Sequence, residues 1–221
     1  MLGLVVLFVA LMSIVGQFYK HVLGHDYLLG FVPLFDFNGE RNIPTWYSSS
    51  MLLLCSVLLA IIAASTARSG DRYQMHWKVL SATFLIMSAD EVIQIHEQMI
   101  NPLRAVLDLG GVFHYAWSVV GLALVLAFVL AYPRFIAHLP TRTRRLFIVA
   151  AGLYVGGALG MELVQGWHDG LYGVDGVTAL ITTVEEVLEM SGVVVFVYAL
   201  LSYMSVIQVY AKDADANGLH G

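Results

Sequence analysis

The sequence predicts an all-α integral membrane protein with six transmembrane helices, and three observations support this fold class. Hydrophobic residues make up 59% of the 221 residues and charged residues only 12%, with a mean hydropathy of +0.77. Such a chain is too apolar for an ordinary soluble domain. Six long runs are free or nearly free of charge, and all five prolines fall between these runs or at their edges. A missing N–H costs little helix stability there.

The six runs are 1–19, 47–67, 77–89, 115–133, 146–161 and 190–211. A helix needs about 20 residues to cross the ~30 Å hydrocarbon core, so polar ends must complete the third and fifth spans. The first run lacks a basic leading segment and a small-residue cleavage site, which favours a retained helix over a signal peptide. We expect a single six-helix transmembrane domain over 1–211 and a short polar cytoplasmic tail at 212–221.

The distribution of Lys and Arg over the short loops predicts the orientation. Eight basic residues fall on one side of the membrane and three, Lys20, Arg41 and Arg104, on the other. Because the more basic side faces the cytoplasm, we expect both termini to be cytoplasmic, in a plasma (inner) membrane. The lone Cys55 lies inside the second span and excludes an internal disulfide.

Acidic residues concentrate at the predicted outer ends of the third, fifth and sixth spans. On ideal helices the acids of the third span fall within about 120° and those of the sixth within about 100°. Ionised carboxylates that face lipid are costly, so we expect these faces to meet in a shared polar interior. The seven carboxylates are Asp90, Glu91, Glu97, Glu162, Glu185, Glu186 and Glu189.

These acids, together with nearby histidines, predict a metal site. Seven like charges require compensation by protons or a cation, and mixed carboxylate and imidazole ligands suit divalent Fe, Mn or Zn. The expected metal ligands are Glu91, His96, Glu162, His168, Glu186 and Glu189. The expected supporting or proton-exchanging groups are Asp90, Glu97, Asp169 and Glu185.

A His-acid pair recurs at nearly constant spacing, which predicts an internal repeat. Successive pairs lie 71 and 72 residues apart, each at the end of an odd-numbered span. This spacing predicts three parallel helical hairpins of about 72 residues each, arranged around one axis. The pairs are His25-Asp26, His96-Glu97 and His168-Asp169.

The fifth span also carries a stripe of small residues. Gly152, Gly156 and Gly160 recur at every fourth position, a spacing that lets two membrane helices approach closely. We therefore expect a neighbouring helix to pack against these glycines.

Two classes of function fit the pattern. The first is a membrane-embedded metal-dependent oxidoreductase or hydrolase that acts on a lipid or another apolar small molecule. The second is a transporter coupled to protons or a divalent cation, which usually needs broken helices near the midplane. Polar residues stop at the outer half, which favours a one-sided site. An accessory subunit of a larger membrane complex is a third interpretation.

Several features also have simpler structural interpretations. A network of protonated carboxylates that fixes helix packing would explain the acids without a metal. The Trp and Tyr residues near the outer ends, including Tyr115 and Trp117, are typical of an interfacial belt. The Glu-x-x-His spacing of di-iron proteins, phosphate loops, nucleophile elbows and basic nucleic-acid patches are absent from the sequence. Nucleic acid is therefore not an expected partner.

Overall fold

The computed structural model describes residues 1–39, 41–68 and 70–216, with side chains up to Ser205 apart from that of Arg68. Helices account for 85% of the chain, and the described residues contain no strand. The predicted all-helical class is therefore confirmed. Of the predicted tail, residues 212–216 continue the last helix and 217–221 lie outside the described residues.

Ten α-helices follow one another along the described chain. A π-helical segment, Gly156–Met161, joins the eighth to the ninth, and two short 3₁₀ turns, Leu28–Gly30 and Gly111–Phe113, precede the second and sixth. The helices are α1 (Leu2–His21), α2 (Phe31–Phe35), α3 (Ile43–Arg68), α4 (Gln74–Ile93), α5 (Ile95–Leu107), α6 (Trp117–Ala131), α7 (Pro133–His138), α8 (Thr141–Val155), α9 (Glu162–Tyr172) and α10 (Gly176–Ala216).

Within the described chain, four helical segments are long and apolar enough to cross a membrane. They are Leu2–His21, Ile43–Ala67, Thr141–Tyr172 and Gly176–Ser205. A fifth candidate appears if α4 and α5, which meet at an angle of 80°, count as one broken span. Helix α6 is apolar but has only 15 residues, or about 22 Å. These properties fit a membrane protein, whereas six crossings stay a prediction.

Helix α10 is the central element of the packing. It contacts α1, α3, α8 and α9, and α3 also packs along α4. The α3–α4 pair is held by reciprocal hydrogen bonds in which Ser49 and Ser88 each donate to the other's carbonyl at 2.8 Å. Ser56 and Ser81 repeat this arrangement at 2.8 and 2.9 Å. Small hydroxyl residues thus let the two antiparallel helices approach closely while these four hydroxyl groups are satisfied.

Helix α1 is displaced toward the end of the bundle at which α3 and α10 begin. The Tyr47 hydroxyl, in the second turn of α3, donates to the Leu2 carbonyl at 3.2 Å. At the other end of α1, the His21 ring lies 3.9 Å from where a Cβ on Gly176 would be. Since both ends of α1 contact this half of the bundle, α1 and α3 are shifted relative to each other along the bundle axis. The side of the membrane on which each terminus lies stays a prediction.

The predicted continuous third span is wrong, because the chain breaks at Gln94. This residue adopts the left-handed conformation (φ 62°, ψ 43°) between α4 and α5. Side chains satisfy the backbone groups that the break exposes. Asp90 accepts the His96 N–H at 3.1 Å, and the Gln98 amide donates to the Ile93 carbonyl at 2.9 Å. The polar face expected on one straight helix is therefore divided between α4 and α5.

The expected close approach at the stripe of small residues is also wrong. A Cβ added to Gly152, Gly156 or Gly160 would meet no atom within 4 Å. The close contacts fall instead on Gly157, where a Cβ would lie 2.8 Å from the Glu185 carbonyl, and on Gly192, where it would lie 2.8 Å from the Tyr154 nitrogen. The π-helical segment explains part of this difference, because its wider turn shifts the helical register that the four-residue spacing assumed.

Two adjacent glycines give a matched test of this packing. Gly157→Ala is expected to lower the free energy of unfolding by about 1–3 kcal/mol, because the new methyl group overlaps the backbone of α10. Gly156→Ala is expected to be neutral or to stabilise by about 0.5–1 kcal/mol, because it only improves helix propensity. Thermal unfolding of both variants in one detergent measures the difference. Equal melting temperatures would contradict the close contact at Gly157.

The three-hairpin repeat is not confirmed. The fifth and sixth predicted spans pack together as α8 and α10, whereas α3 packs mainly on α4 and α1 mainly on α10 and α2. The three His-acid pairs also differ in surroundings. His25 and Asp26 are exposed, His168 and Asp169 are buried, and His96 turns back to contact Asp90.

Candidate functional site: an acidic cavity

A cavity of about 790 Å³ lies between α4, α5, α6, α9 and α10, and we call it the acidic cavity. Eight of the ten predicted site residues line it, and His168 and Asp169 do not. Those eight are Asp90, Glu91, His96, Glu97, Glu162, Glu185, Glu186 and Glu189. The structure therefore brings carboxyl groups from all three predicted acidic segments onto one surface.

The π-helical segment leads directly into the acidic cavity. Ala158 and Leu159 within it line the wall, and Glu162 begins the helix that follows. π-Helical turns are rare and recur at functional sites, because they redirect side chains that a regular helix would point elsewhere. Here the segment places Glu162 next to Trp117, whose indole N–H donates to Glu162 Oε1 at 2.7 Å.

The carboxyl groups of the cavity also contact one another and a tyrosine. The carboxyl groups of Glu162 and Glu185 lie close enough to share a hydrogen bond. Two carboxyl groups can share a hydrogen bond only if one of them carries a proton. The half-buried Tyr154 of α8 lies beside Glu189 of the neighbouring α10. The cavity thus places two neighbouring carboxyl groups and a phenol side by side.

Fixed positive charge is scarce around these acids. Lys20 is the one Lys or Arg among the described residues that line the cavity, and its ammonium group is 2.9 Å from Asp36. The Gln17 amide donates to the same carboxylate at 2.5 Å. Asp36 therefore already takes up the positive charge that Lys20 brings to the cavity.

His96 pairs with its own preceding acid, contrary to the expectation from an ideal helix. Its Nδ1 lies 2.5 Å from Asp90 Oδ2, and its ring meets the Trp117 ring edge-on with centroids 5.0 Å apart. An unbroken helix would separate residues 90 and 96 by about 120°. The left-handed Gln94 between them removes that separation.

His168 and Asp169 form a separate buried network beside the acidic cavity. Asp169 accepts hydrogen bonds from Tyr115 at 2.7 Å and Thr178 at 2.5 Å, and lies 3.0 Å from His168 Nδ1. Gln165 extends the network toward the cavity by donating to Tyr115 at 3.2 Å. His168 and Asp169 therefore have a structural role and lie outside the wall of the acidic cavity.

Sequence reasoning missed several polar residues of the site. Tyr115 and Trp117 were expected in an interfacial belt, but both line the acidic cavity and bond to acids. Gln165 and Thr182 also line it and are joined by a 2.9 Å hydrogen bond. Their spacing in the sequence could have indicated this role. Gln165 follows Glu162 by three residues and Thr182 precedes Glu185 by three, so each shares a helical face with an acid.

The geometry places a limit on metal binding in this conformation. Across the described residues, no three His, Cys, Asp or Glu side chains are arranged so that they could hold a metal ion. The carboxyl groups share a cavity without converging on one point. A metal ion would therefore have to draw the acids of different helices together.

Comparison with known proteins identifies a family but no function. No curated protein and no solved structure matches the chain. Residues 1–204 match one protein family over nearly the full length of the chain. The chain therefore belongs to the family described as a domain of unknown function, DUF8692.

Proposed function

We propose that the acidic cavity is a cation-binding site, with a divalent metal ion (Fe, Mn or Zn) as its main occupant. The observation that carries this proposal is that seven carboxyl side chains and His96 line one cavity, whose Lys20 is already paired with Asp36. Carboxylates gathered inside an apolar protein repel one another unless protons or cations compensate them. Oxygen ligands with one imidazole match the preference of these metals.

The chemistry that follows from this proposal is catalysis on a lipid or another apolar molecule. A divalent cation held by carboxylates acts as a Lewis acid and lowers the pKa of bound water. Glu162 and Glu185, whose carboxyl groups are neighbours, are placed to exchange protons with a reacting group. An oxidoreductase and a hydrolase both remain within this class.

Metal loading is the direct test of the proposal. The protein is purified without chelators or metal-affinity steps, analysed for bound metals, and then titrated with Mn²⁺, Fe²⁺ and Zn²⁺ while its melting temperature is followed. We expect about one metal ion per chain and a melting temperature that rises with metal concentration, because a cation that binds only the folded form stabilises it. No stoichiometric metal under any loading condition would contradict the proposal.

A cation- or proton-coupled transporter is the second candidate, and one observation favours it. The α4–α5 break at Gln94 and the π-helical segment before Glu162 interrupt two helices beside the same acids, and discontinuous helices are typical of transporter ion sites. Proteoliposomes with a pH-sensitive dye inside distinguish the candidates. Metal-dependent proton movement would favour the transporter, whereas metal binding without ion movement would favour the enzyme.

The predicted orientation, with six crossings and cytoplasmic termini, is part of this proposal and has its own test. Single cysteines replace the exposed Met75, Pro140 and Val174 in a Cys55→Ala background, and intact cells are treated with an impermeant thiol reagent. We expect Val174→Cys to react and the other two to react only after lysis, because the basic loops face the cytoplasm. The reverse pattern would place the acidic cavity on the cytoplasmic side.

A further inference from the structure

A second cavity of about 610 Å³ lies between α4, α6, α8 and α10, and we call it the apolar cavity. Among its lining residues, only Thr83, Tyr132 and Tyr154 have polar side chains. The Thr83 hydroxyl donates to the Val79 carbonyl and the Tyr132 hydroxyl to the His76 carbonyl. Tyr154 lies beside Glu189. The walls therefore recognise hydrocarbon and disfavour water.

The apolar cavity adjoins the acidic cavity. Both are lined by Thr83, Met87, Val125, Phe128, Tyr154 and Val155. The apolar cavity extends from this shared wall along α8 to Phe147, a distance of about 12 Å from Val155 at 1.5 Å per residue. One molecule with a polar head and a hydrocarbon chain can therefore occupy both cavities.

The apolar cavity also adjoins the lipid-facing surface. Val129 of α6 and Ile148 of α8 line it, although their side chains are 62% and 59% exposed. Helices α6 and α8 are not closely packed against each other along their described residues. A hydrocarbon chain can enter between them. An apolar cavity left unfilled destabilises a protein in proportion to its volume, so a chain that fills it also stabilises the fold.

The charges of the acidic cavity restrict the head group. Its carboxyl groups attract a positively charged head and accept hydrogen bonds from a neutral one. Because the seven carboxyl groups outnumber the two positive charges of one bound divalent ion, the cavity still repels phosphate or sulfate. We infer that the two cavities bind one single-chain amphiphile whose head carries no negative charge, with its hydrocarbon chain in the apolar cavity. This inference rests on the proposed function and names the substrate class of that same site.

Photo-cross-linking with a diazirine-labelled dodecylamine tests the inference on the full chain in lipid nanodiscs. We expect mass spectrometry to find the probe on residues of the apolar cavity such as Val129, Ile148 and Ala151. Unlabelled dodecylamine and dodecanol should compete with the probe, and dodecyl phosphate should not. Equal labelling of the exposed Phe8 face of α1, or equal competition by dodecyl phosphate, would overturn the inference.

Two glycine variants on one helical segment provide the matched control. A Cβ at Gly152 or Gly160 meets no atom within 4 Å, but only Gly152 lines the apolar cavity. Gly152→Leu should weaken probe binding by about tenfold or more, since each methylene displaced from the cavity is worth about fourfold, from ~0.8 kcal/mol per CH₂. Gly160→Leu should leave probe binding unchanged. Equal probe affinity of the two variants would overturn the inference.

The same variants separate this inference from the proposed metal site. Gly152→Leu should keep any metal-induced rise in melting temperature while losing the probe. Specific labelling of the apolar cavity in a chain that binds no metal would support the amphiphile site and contradict the metal proposal. Metal binding without specific labelling would do the reverse.

Discussion

Replacing Asp169 by alanine is expected to lower the free energy of unfolding by about 3–5 kcal/mol, because several buried groups lose the carboxylate that they contact. The carboxylate is 1% exposed and accepts hydrogen bonds from Tyr115 and Thr178, with His168 beside it. Its loss leaves these groups buried without their acceptor. It also removes a connection that joins α9, α10 and the segment before α6. Unfolding followed by circular dichroism in mixed detergent measures the change.

The control for this variant comes from the predicted repeat. Asp26 follows its histidine as Asp169 does, but lies exposed after α1. Asp26→Ala should change the stability by no more than about 0.5 kcal/mol, as is usual for an exposed site. Equal destabilisation by the two substitutions would mean that the described network is wrong and that the two pairs are equivalent after all.

Replacing Glu189 or Glu162 by glutamine is expected to remove most of the stabilisation by metal. The shape of the side chain is kept while one ligand charge is lost. For the parent protein, a metal ion at a hundred times its Kd should add ~2.7 kcal/mol to the free energy of unfolding. Each variant should show lower metal content and a smaller rise in melting temperature in the same titration.

Asp108→Asn serves as the control for these variants, because Asp108 is exposed and does not line the acidic cavity. Asparagine also tolerates the left-handed conformation found there (φ 49°). The metal titration of this variant should match that of the parent. If the Glu variants instead melted higher than the parent and the parent never responded to metal, the acids would be a protonated packing network, and the proton-coupled transporter would lead.

Much of the acidic cavity could be predicted from sequence, because the sequence indicates both how deep each acid lies in its predicted span and which helical face carries it. Charge-free runs fix the depth of Glu91, Glu162 and Glu189, and the cost of placing ionised groups in lipid points their faces inward. These rules need no knowledge of which helices touch. For this reason they remain useful even though the predicted hairpins were not confirmed.

The parts that sequence did not predict depend on breaks in regular helices. Gln94 is not a residue that usually marks a left-handed turn. The sequence of α4 and α5 therefore predicts one continuous span. That break moves Glu97 into α5 and lets His96 reach Asp90. The stripe at Gly152 followed the correct spacing for a regular helix, but helix contacts depend on a register that the π-helical segment alters.

The π-helical segment Gly156–Met161 amounts to one additional residue inserted into a continuous α-helix. Each residue of an α-helix turns the chain by about 100°, so the insertion rotates everything after it by that angle relative to α8. Deleting Ala158 would restore a regular helix and turn Glu162 and Trp167 around the axis together. Glu162 would then leave Trp117, and a different side of α9 would face Tyr115. A change of length by one residue at this point would therefore reorient the whole of α9. A single-residue deletion in a loop would not rotate a helix in this way.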